Sequence, residues 1–165
     1  MTEKNPQTSG NDIPAPPTPR RLSVCMATRN GERFVRRQIE TILSGLAPDD
    51  ELVISDDSST DGTLEIVRSF ADPRIRLLPG NTFFHPAFNF ENALRRAGGQ
   101  IIALADQDDV WLENKVPVIR ERFAQAPAGP HLLVLDGQVV NGAEEVLEES
   151  IFASLEAGSG FWRNL

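Results

Sequence analysis

The sequence has a single cysteine, Cys25, among 165 residues. No disulfide can form within the chain, so its fold does not rest on an oxidising compartment. Cys25 lies inside an apolar run, where a buried, unreactive thiol is expected. No stretch reaches the roughly 18–20 apolar residues that a membrane-spanning helix needs. The first 20 residues are polar and Pro-rich and lack the apolar core of a secretory signal. A soluble, cytoplasmic domain is the expectation, compatible with attachment to a membrane surface. Positive charge is also short. Lys and Arg number 16 against 24 Asp and Glu, which gives a net charge of −8 and a pI of about 4.8. That disfavours a protein built to grip nucleic acid, because such binding rests on neutralising phosphates with Lys and Arg. A single nucleotide stays possible if a divalent cation meets its phosphates. Glycine-rich phosphate cradles are missing too. No Gly-x-Gly-x-x-Gly follows Ala27, and no Gly-x-x-x-x-Gly-Lys-Ser/Thr occurs anywhere. This argues against a dinucleotide dehydrogenase and against a P-loop NTPase.

What is present is an ordinary globular balance, with 40% apolar and 24% charged residues. The length suits one domain with a real core, or part of a larger one. Residues 1–20 carry Pro14, Pro16, Pro17 and Pro19 among small polar residues and read as a disordered leader. Strand and helix patterns then alternate. Apolar runs predict strands at 22–27, 52–54, 75–78, 101–105 and 132–135. Between them, Val35, Ile39, Ile42 and Leu46 recur at helical spacing, with Arg36, Arg37 and Glu40 on the opposite face. Asp61 is placed to cap a second helix that buries Leu64, Val67 and Phe70. Ala87, Phe90, Leu94 and Ala97 form a third stripe, ended by Gly98-Gly99. Val116, Ile119 and Phe123 form a fourth. Wholly apolar strands separated by amphipathic helices indicate an α/β fold. A mostly parallel sheet is covered by helices on both faces.

In such sheets, ligands bind beyond the carboxyl ends of the strands. The first strand ends in Ala27-Thr28-Arg29-Asn30, the second in Asp56-Asp57-Ser58-Ser59, and the fourth in Asp106-Gln107-Asp108-Asp109. Carboxylates gathered at one edge repel each other unless a cation or a donor-rich ligand joins them. Carboxylate oxygens are hard ligands for Mg²⁺ or Mn²⁺, held by one or two carboxylates plus substrate phosphates. Asp106 and Asp108 fit that pattern, although an isolated Asp-x-Asp is common and also caps helices. Asp57 can accept hydrogen bonds from a base or ribose, whereas Asp61 is expected only to cap. Surface or structural roles are expected for His85 and His131. Glu144, Glu145, Glu148 and Glu149 read as a solvated hairpin or helix edge. Trp111 is expected to pack at the helix start behind the metal loop.

Three segments in register resemble family 2 glycosyltransferases of the GT-A fold. They are Ser23-Val24-Cys25-Met26-Ala27-Thr28-Arg29-Asn30-Gly31-Glu32, Ile54-Ser55-Asp56-Asp57-Ser58-Ser59-Thr60-Asp61-Gly62-Thr63 and Ala103-Leu104-Ala105-Asp106-Gln107-Asp108-Asp109-Val110-Trp111-Leu112. The last block is similar to the rhamnosyltransferase-like branch. The resemblance implies a nucleotide-sugar-binding GT-A domain over 21–136 and the start of an incomplete acceptor-side region over 137–165. It implies that Ala27, Thr28, Arg29, Asn30, Glu32, Asp56, Asp57, Asp106 and Gln107 form the nucleotide site. Asp108 and Asp106 would hold Mg²⁺ or Mn²⁺, with Asp108 as the direct ligand. Where the family usually has Pro-Thr-Tyr-Asn, this chain has Ala27 and Arg29, so an Arg plane stands where an aromatic would lie against the base. Asn89 is implied to lie where the donor pocket continues.

The implied reaction is metal-assisted, inverting transfer of a sugar from dTDP-rhamnose or a UDP-sugar to a glycan or lipid-linked acceptor. The implied general base lies beyond Leu165, so the chain is expected to be truncated at its C-terminus. Two other classes stay in view. One is a fragment that binds nucleotide sugar without turnover. The other is a nucleotidyltransferase, which would normally show a Gly-rich basic loop after the first strand; residues 26–33 contain only Gly31.

Overall fold

The computed structural model describes residues 20–154. Residues 1–19 of the expected leader and the segment at 155–165 lie outside the described residues. The chain divides into two compact units, residues 1–120 and 121–165.

The first unit is an alternating α/β layer. Its elements are β1 (Leu22–Thr28), α1 (Val35–Gly45), β2 (Glu51–Asp56), α2 (Thr63–Ser69), β3 (Ile75–Leu78), α3 (Pro86–Leu94) and β4 (Ile101–Ala105). The helix α4 (Lys115–Gln125) begins in this unit and runs on into the second. The four strands pair in parallel in the order β3-β2-β1-β4. The first strand pairs on both sides, with Val24 opposite Leu52, Cys25 opposite Val53 and Met26 opposite Ile54. Side chains alternate between the two faces. On one face Cys25 and Val53 pack with Ala93 of α3, flanked by Leu78 and Ala97. The other set, with Val24, Met26, Leu52 and Ile54, is fully buried, as are Ile39 and Ile42 of α1. Each such side chain contributes about 1.5–3 kcal/mol on burial. The expected helix stripes of α1, α2 and α4 are present around Val35, Ile39, Ile42, Val67, Val116 and Ile119.

Three sequence expectations need correction. First, 132–135 is not a strand. Leu132 is 79% exposed and Val134 45% exposed, and neither belongs to a paired ladder. In the second unit, β5 (Val139–Val140) pairs antiparallel with β6 (Val146–Glu148), followed by α5 (Ile151–Ser154). The apolar run was misleading because a strand needs an edge to pair with, which composition does not reveal. Second, the inner face of α3 is Asn89 and Ala93, while Ala87 and Leu94 are exposed. A polar side chain, Asn89, shares with Ala93 the face turned to the sheet. Third, β4 is buried at Ile101 and Ala105 but, among the described residues, exposed at Ile102 and Leu104. The residues Glu144, Glu145, Glu148 and Glu149 do fall in or beside an exposed hairpin.

Candidate functional site

Parallel strands carry their carboxyl ends, and so their outgoing loops, to one edge. Here the loops after β1, β2, β3 and β4 border one cleft of about 220 Å³. Its wall includes Ala27, Thr28, Arg29, Asp57, Asp106, Gln107 and Asp108, all expected from the sequence. It also includes Phe84, His85, Pro86, Asn89 and Phe90. Asn30, Glu32 and Asp56 do not line it.

The residues outside the cleft hold the loops in place. Asp56 is fully buried and accepts from Thr28 Oγ1 at 2.9 Å, Ser59 Oγ at 2.5 Å and Ser59 N at 2.9 Å. Asn30 Oδ1 accepts from Thr60 N at 2.8 Å, and its own N–H donates to Ser59 Oγ at 2.9 Å. Glu32 Oε2 accepts from Gly62 N at 2.9 Å, while Glu32 N donates to Asp61 Oδ2 at 3.0 Å. Asp61 is not the N-cap of α2, which is Gly62; it sits one residue earlier and accepts from Thr63 N at 3.1 Å. The first two loops are thus tied together side chain to backbone.

Within the cleft, Asp57 is buried, and its Oδ1 accepts from Phe83 N at 2.6 Å. The guanidinium of Arg29 lies 4.8 Å from the centre of the Phe84 ring, a cation–π distance. Phe84 has φ of 49° and is 62% exposed. A left-handed, exposed aromatic costs conformational energy, which points to function rather than packing. His85 caps α3: its Nδ1 accepts from Ala87 N at 3.2 Å, with Pro86 at the first helical position. That is the structural role expected, at a place that also borders the cleft. Asn89 is buried, and its Nδ2 donates to Thr28 O at 3.1 Å.

The loop after β4 is buttressed from behind. Gln38, fully buried on α1, donates from Nε2 to Asp106 O at 2.9 Å. Thr41 Oγ1 accepts from Trp111 N at 3.1 Å. Trp111 is 3% exposed four residues before α4, and Lys115 Nζ at the first residue of that helix lies 4.3 Å from its ring. Sequence reading missed Gln38. The signal was a glutamine among the apolar positions of α1, since a buried amide must find partners.

A match to the model of glycosyl transferase family 2 covers residues 23–149. The chain belongs to that family. Its sheet and loops have the GT-A fold of solved glycosyltransferases. It is 35% identical over 95 residues to WfgD of Escherichia coli, a UDP-Glc:alpha-D-GlcNAc-diphosphoundecaprenol beta-1,3-glucosyltransferase, covering 58% of this chain and 38% of the relative. It is 35% identical over 98 residues to the dTDP-rhamnosyl transferase RfbG of Shigella flexneri, covering 55% and 34%. The mannosyltransferase PcManGT from Pyrobaculum calidifontis, solved with GDP-Man and Mn²⁺, matches with a TM-score of 0.59 at 25% identity, covering 73% and 37%. This family 2 chain spans less than half the length of the curated relatives it matches.

The donor set for a metal can be tested on the geometry. Asp106 and Asp108 both border the cleft and are both exposed. Among the described residues, no group of three or more His, Cys, Asp or Glu gathers in a way that could hold a metal ion. Two carboxylates do not make a closed structural site. They do fit Mg²⁺ or Mn²⁺ that draws its remaining oxygens from phosphate and water. Negative charge is dense there. Partial burial, then the Asp106 carboxylate, push the Asp109 carboxyl above its ordinary range, against the pull of Lys115. Burial in turn holds the Lys115 ammonium below its ordinary range.

A second cavity, of about 400 Å³, opens at the amino end of the strands, beside Arg21, Glu51, Arg74 and Arg76. It is larger, but two of its arginines are already paired. Arg21 pairs with Glu51 at 3.1 Å and Arg74 with Asp72 at 2.8 Å. Among the described residues, no helix is long and apolar enough to cross a membrane.

Proposed function

We propose that this chain supplies the donor site of a transferase that moves a sugar from a nucleoside-diphosphate sugar to a hydroxyl of a glycan or lipid-linked acceptor. The observation that carries this reading is the meeting of Arg29, Asp57, Asp106 and Asp108 around one cleft. Asp57 would accept the ring N–H of a pyrimidine, and Arg29, lying against Phe84, offers a planar cation for stacking. Ala27 and Thr28 border the nucleoside. Asp108 and Asp106 would hold Mg²⁺ or Mn²⁺, which when bound neutralises charge on the diphosphate leaving group. Asn30, Glu32 and Asp56 act through the loops they tie.

The donor is a dTDP-sugar such as dTDP-rhamnose, or a UDP-sugar, in keeping with the names of RfbG and WfgD. The acceptor class follows the diphosphoundecaprenol in the name of WfgD. Transfer is a single displacement with inversion. The acceptor's proton goes to a general base, and no described residue takes that role. Asp106 and Asp108 serve the metal, and Asp57 is bound to Phe83 N. We place the boundaries of the donor domain at 21–136 and the start of the acceptor side at 137–165. Because the chain spans less than half of its relatives, residues 20–154 taken alone are expected to bind donor without turnover.

The test is a calorimetric titration with UDP, dTDP and GDP, each with and without Mn²⁺. One pyrimidine diphosphate should bind in the presence of metal and be lost in Asp108→Asn. Equal binding with and without Mn²⁺, or an unchanged Asp108→Asn, would overturn the metal assignment.

A further inference from the structure

Gln107 stands between the two carboxylates assigned to the metal, yet its own side chain is turned to another loop. Its Oε1 accepts from Arg29 N at 2.9 Å, and its Nε2 donates to Arg29 O at 3.1 Å. Both bonds go to one residue, so the carboxamide mimics a strand neighbour and fixes the Arg29 backbone in position and direction. Space for this is provided by Gly31, where an added Cβ would overlap Gln107 Oε1. Gly31 has no positive φ, so its lack of a side chain serves the clamp rather than a turn. The far side of the same loop is fixed by Gln38 on Asp106 O at 2.9 Å. Asp106 and Asp108 therefore cannot shift without dragging or breaking the bonds to Arg29.

We propose that Gln107 is a positioning residue that couples the metal half of the site to the nucleoside half, rather than a ligand contact. This rests on the donor-site reading above. A metal held by Asp106 and Asp108 would add order to the loop at 106–108. The carboxamide passes that order to Arg29, so the second ligand meets a loop already arranged. Such coupling is reciprocal and typically changes affinity about 5- to 150-fold.

The test is UDP titration with and without Mn²⁺, and Mn²⁺ titration with and without UDP, on the wild-type chain, Gln107→Ala and Gly31→Ala. Gly31→Ala breaks the clamp sterically while leaving Gln107 in the chain. Its N–H bond to Thr63 Oγ1 at 2.8 Å is kept. The expected result is that the Mn²⁺ enhancement of UDP affinity falls about 5-fold or more in both variants. Mn²⁺ binding without nucleotide should change little. A merely structural role would weaken UDP binding equally with and without Mn²⁺, and that outcome overturns the proposal. So does an unchanged enhancement in both variants. If the wild-type chain binds no nucleotide at all, the donor-site reading fails instead, which keeps the two failures apart.

Discussion

Asp56 and Asp57 are neighbours in sequence with opposite duties, and replacing Asp56 separates them. Asp56→Ala removes a fully buried carboxylate that accepts three hydrogen bonds, two from Ser59 and one from Thr28. Bonds to a charged acceptor contribute about 1.5–3 kcal/mol each. The loss is smaller than their sum. Thr28 Oγ1 keeps a long contact to Ser55 O at 3.5 Å, and Ser59 is only half-buried, so its hydroxyl can turn to water. Removing a buried charge also relieves desolvation. The Ser59 N–H and a partly emptied site remain, for a net cost of about 3 kcal/mol. For a unit of this size that lowers Tm by roughly 10 °C. Asp57→Asn keeps an acceptor for Phe83 N and should cost under about 1 kcal/mol. Thermal unfolding followed by circular dichroism reads both. An Asp56→Ala variant that melts with the wild type would refute the assignment of Asp56 to loop structure. So would an Asp56→Ala variant that loses nucleotide binding at unchanged Tm.

Other outcomes follow from the same geometry. Burial pushes the Glu51 carboxyl up, but Ser23 Oγ, Gly98 N, Arg21 and Arg76 outweigh it and hold it below its ordinary range. Stability from Glu51 is therefore complete above the unfolded carboxyl's value of about 4.3 and drains away as pH falls through the lower folded value. Glu51→Gln should flatten that acid limb in a denaturation series run between pH 3 and 6, and an unchanged slope would count against it. Burial, with the nearby Glu51 charge, raises the Cys25 thiol to about 11, so a thiol reagent should label it only as the chain unfolds. Rapid labelling of the folded chain would contradict that burial. Gly99 packs so closely that an added Cβ would meet Arg21 O and Ser23 N at 2.7 Å each. Gly99→Ala should cost more than about 1 kcal/mol, read from its denaturation midpoint.

Much of the fold was legible in the sequence because β1 to β4 are short apolar runs set between helical stripes, and both periods are visible in composition. Strand ends were legible for the same reason, so the pattern alone put Asp57, Asp106 and Asp108 at one edge. What failed needed partners that a sequence does not display. The run at 132–135 has the composition of a strand but no paired edge, while the shorter segments 139–140 and 146–148 form the hairpin. The buried face of α3 was misjudged because Asn89 and Asn92 turn inward to bond Thr28 O and Ser55 Oγ. Asp56 and Gln107 look like ligand groups in the sequence. Only their hydrogen bonds show that they spend their polar atoms on neighbouring loops. Phe84 and His85 were hidden by the opposite problem, since an exposed Phe and a loop His carry no pattern until the backbone brings them to the rim.

The most direct measurement is a backbone NMR map of this chain titrated with UDP and Mg²⁺. The expected shifts fall on residues 27–31, 57–59, 83–89 and 106–108, and they disappear in Asp108→Asn while its spectrum stays that of a folded chain. Shifts centred instead on the amino-end cavity, at residues 21, 48–51 and 73–76, would contradict the assignment of the donor site.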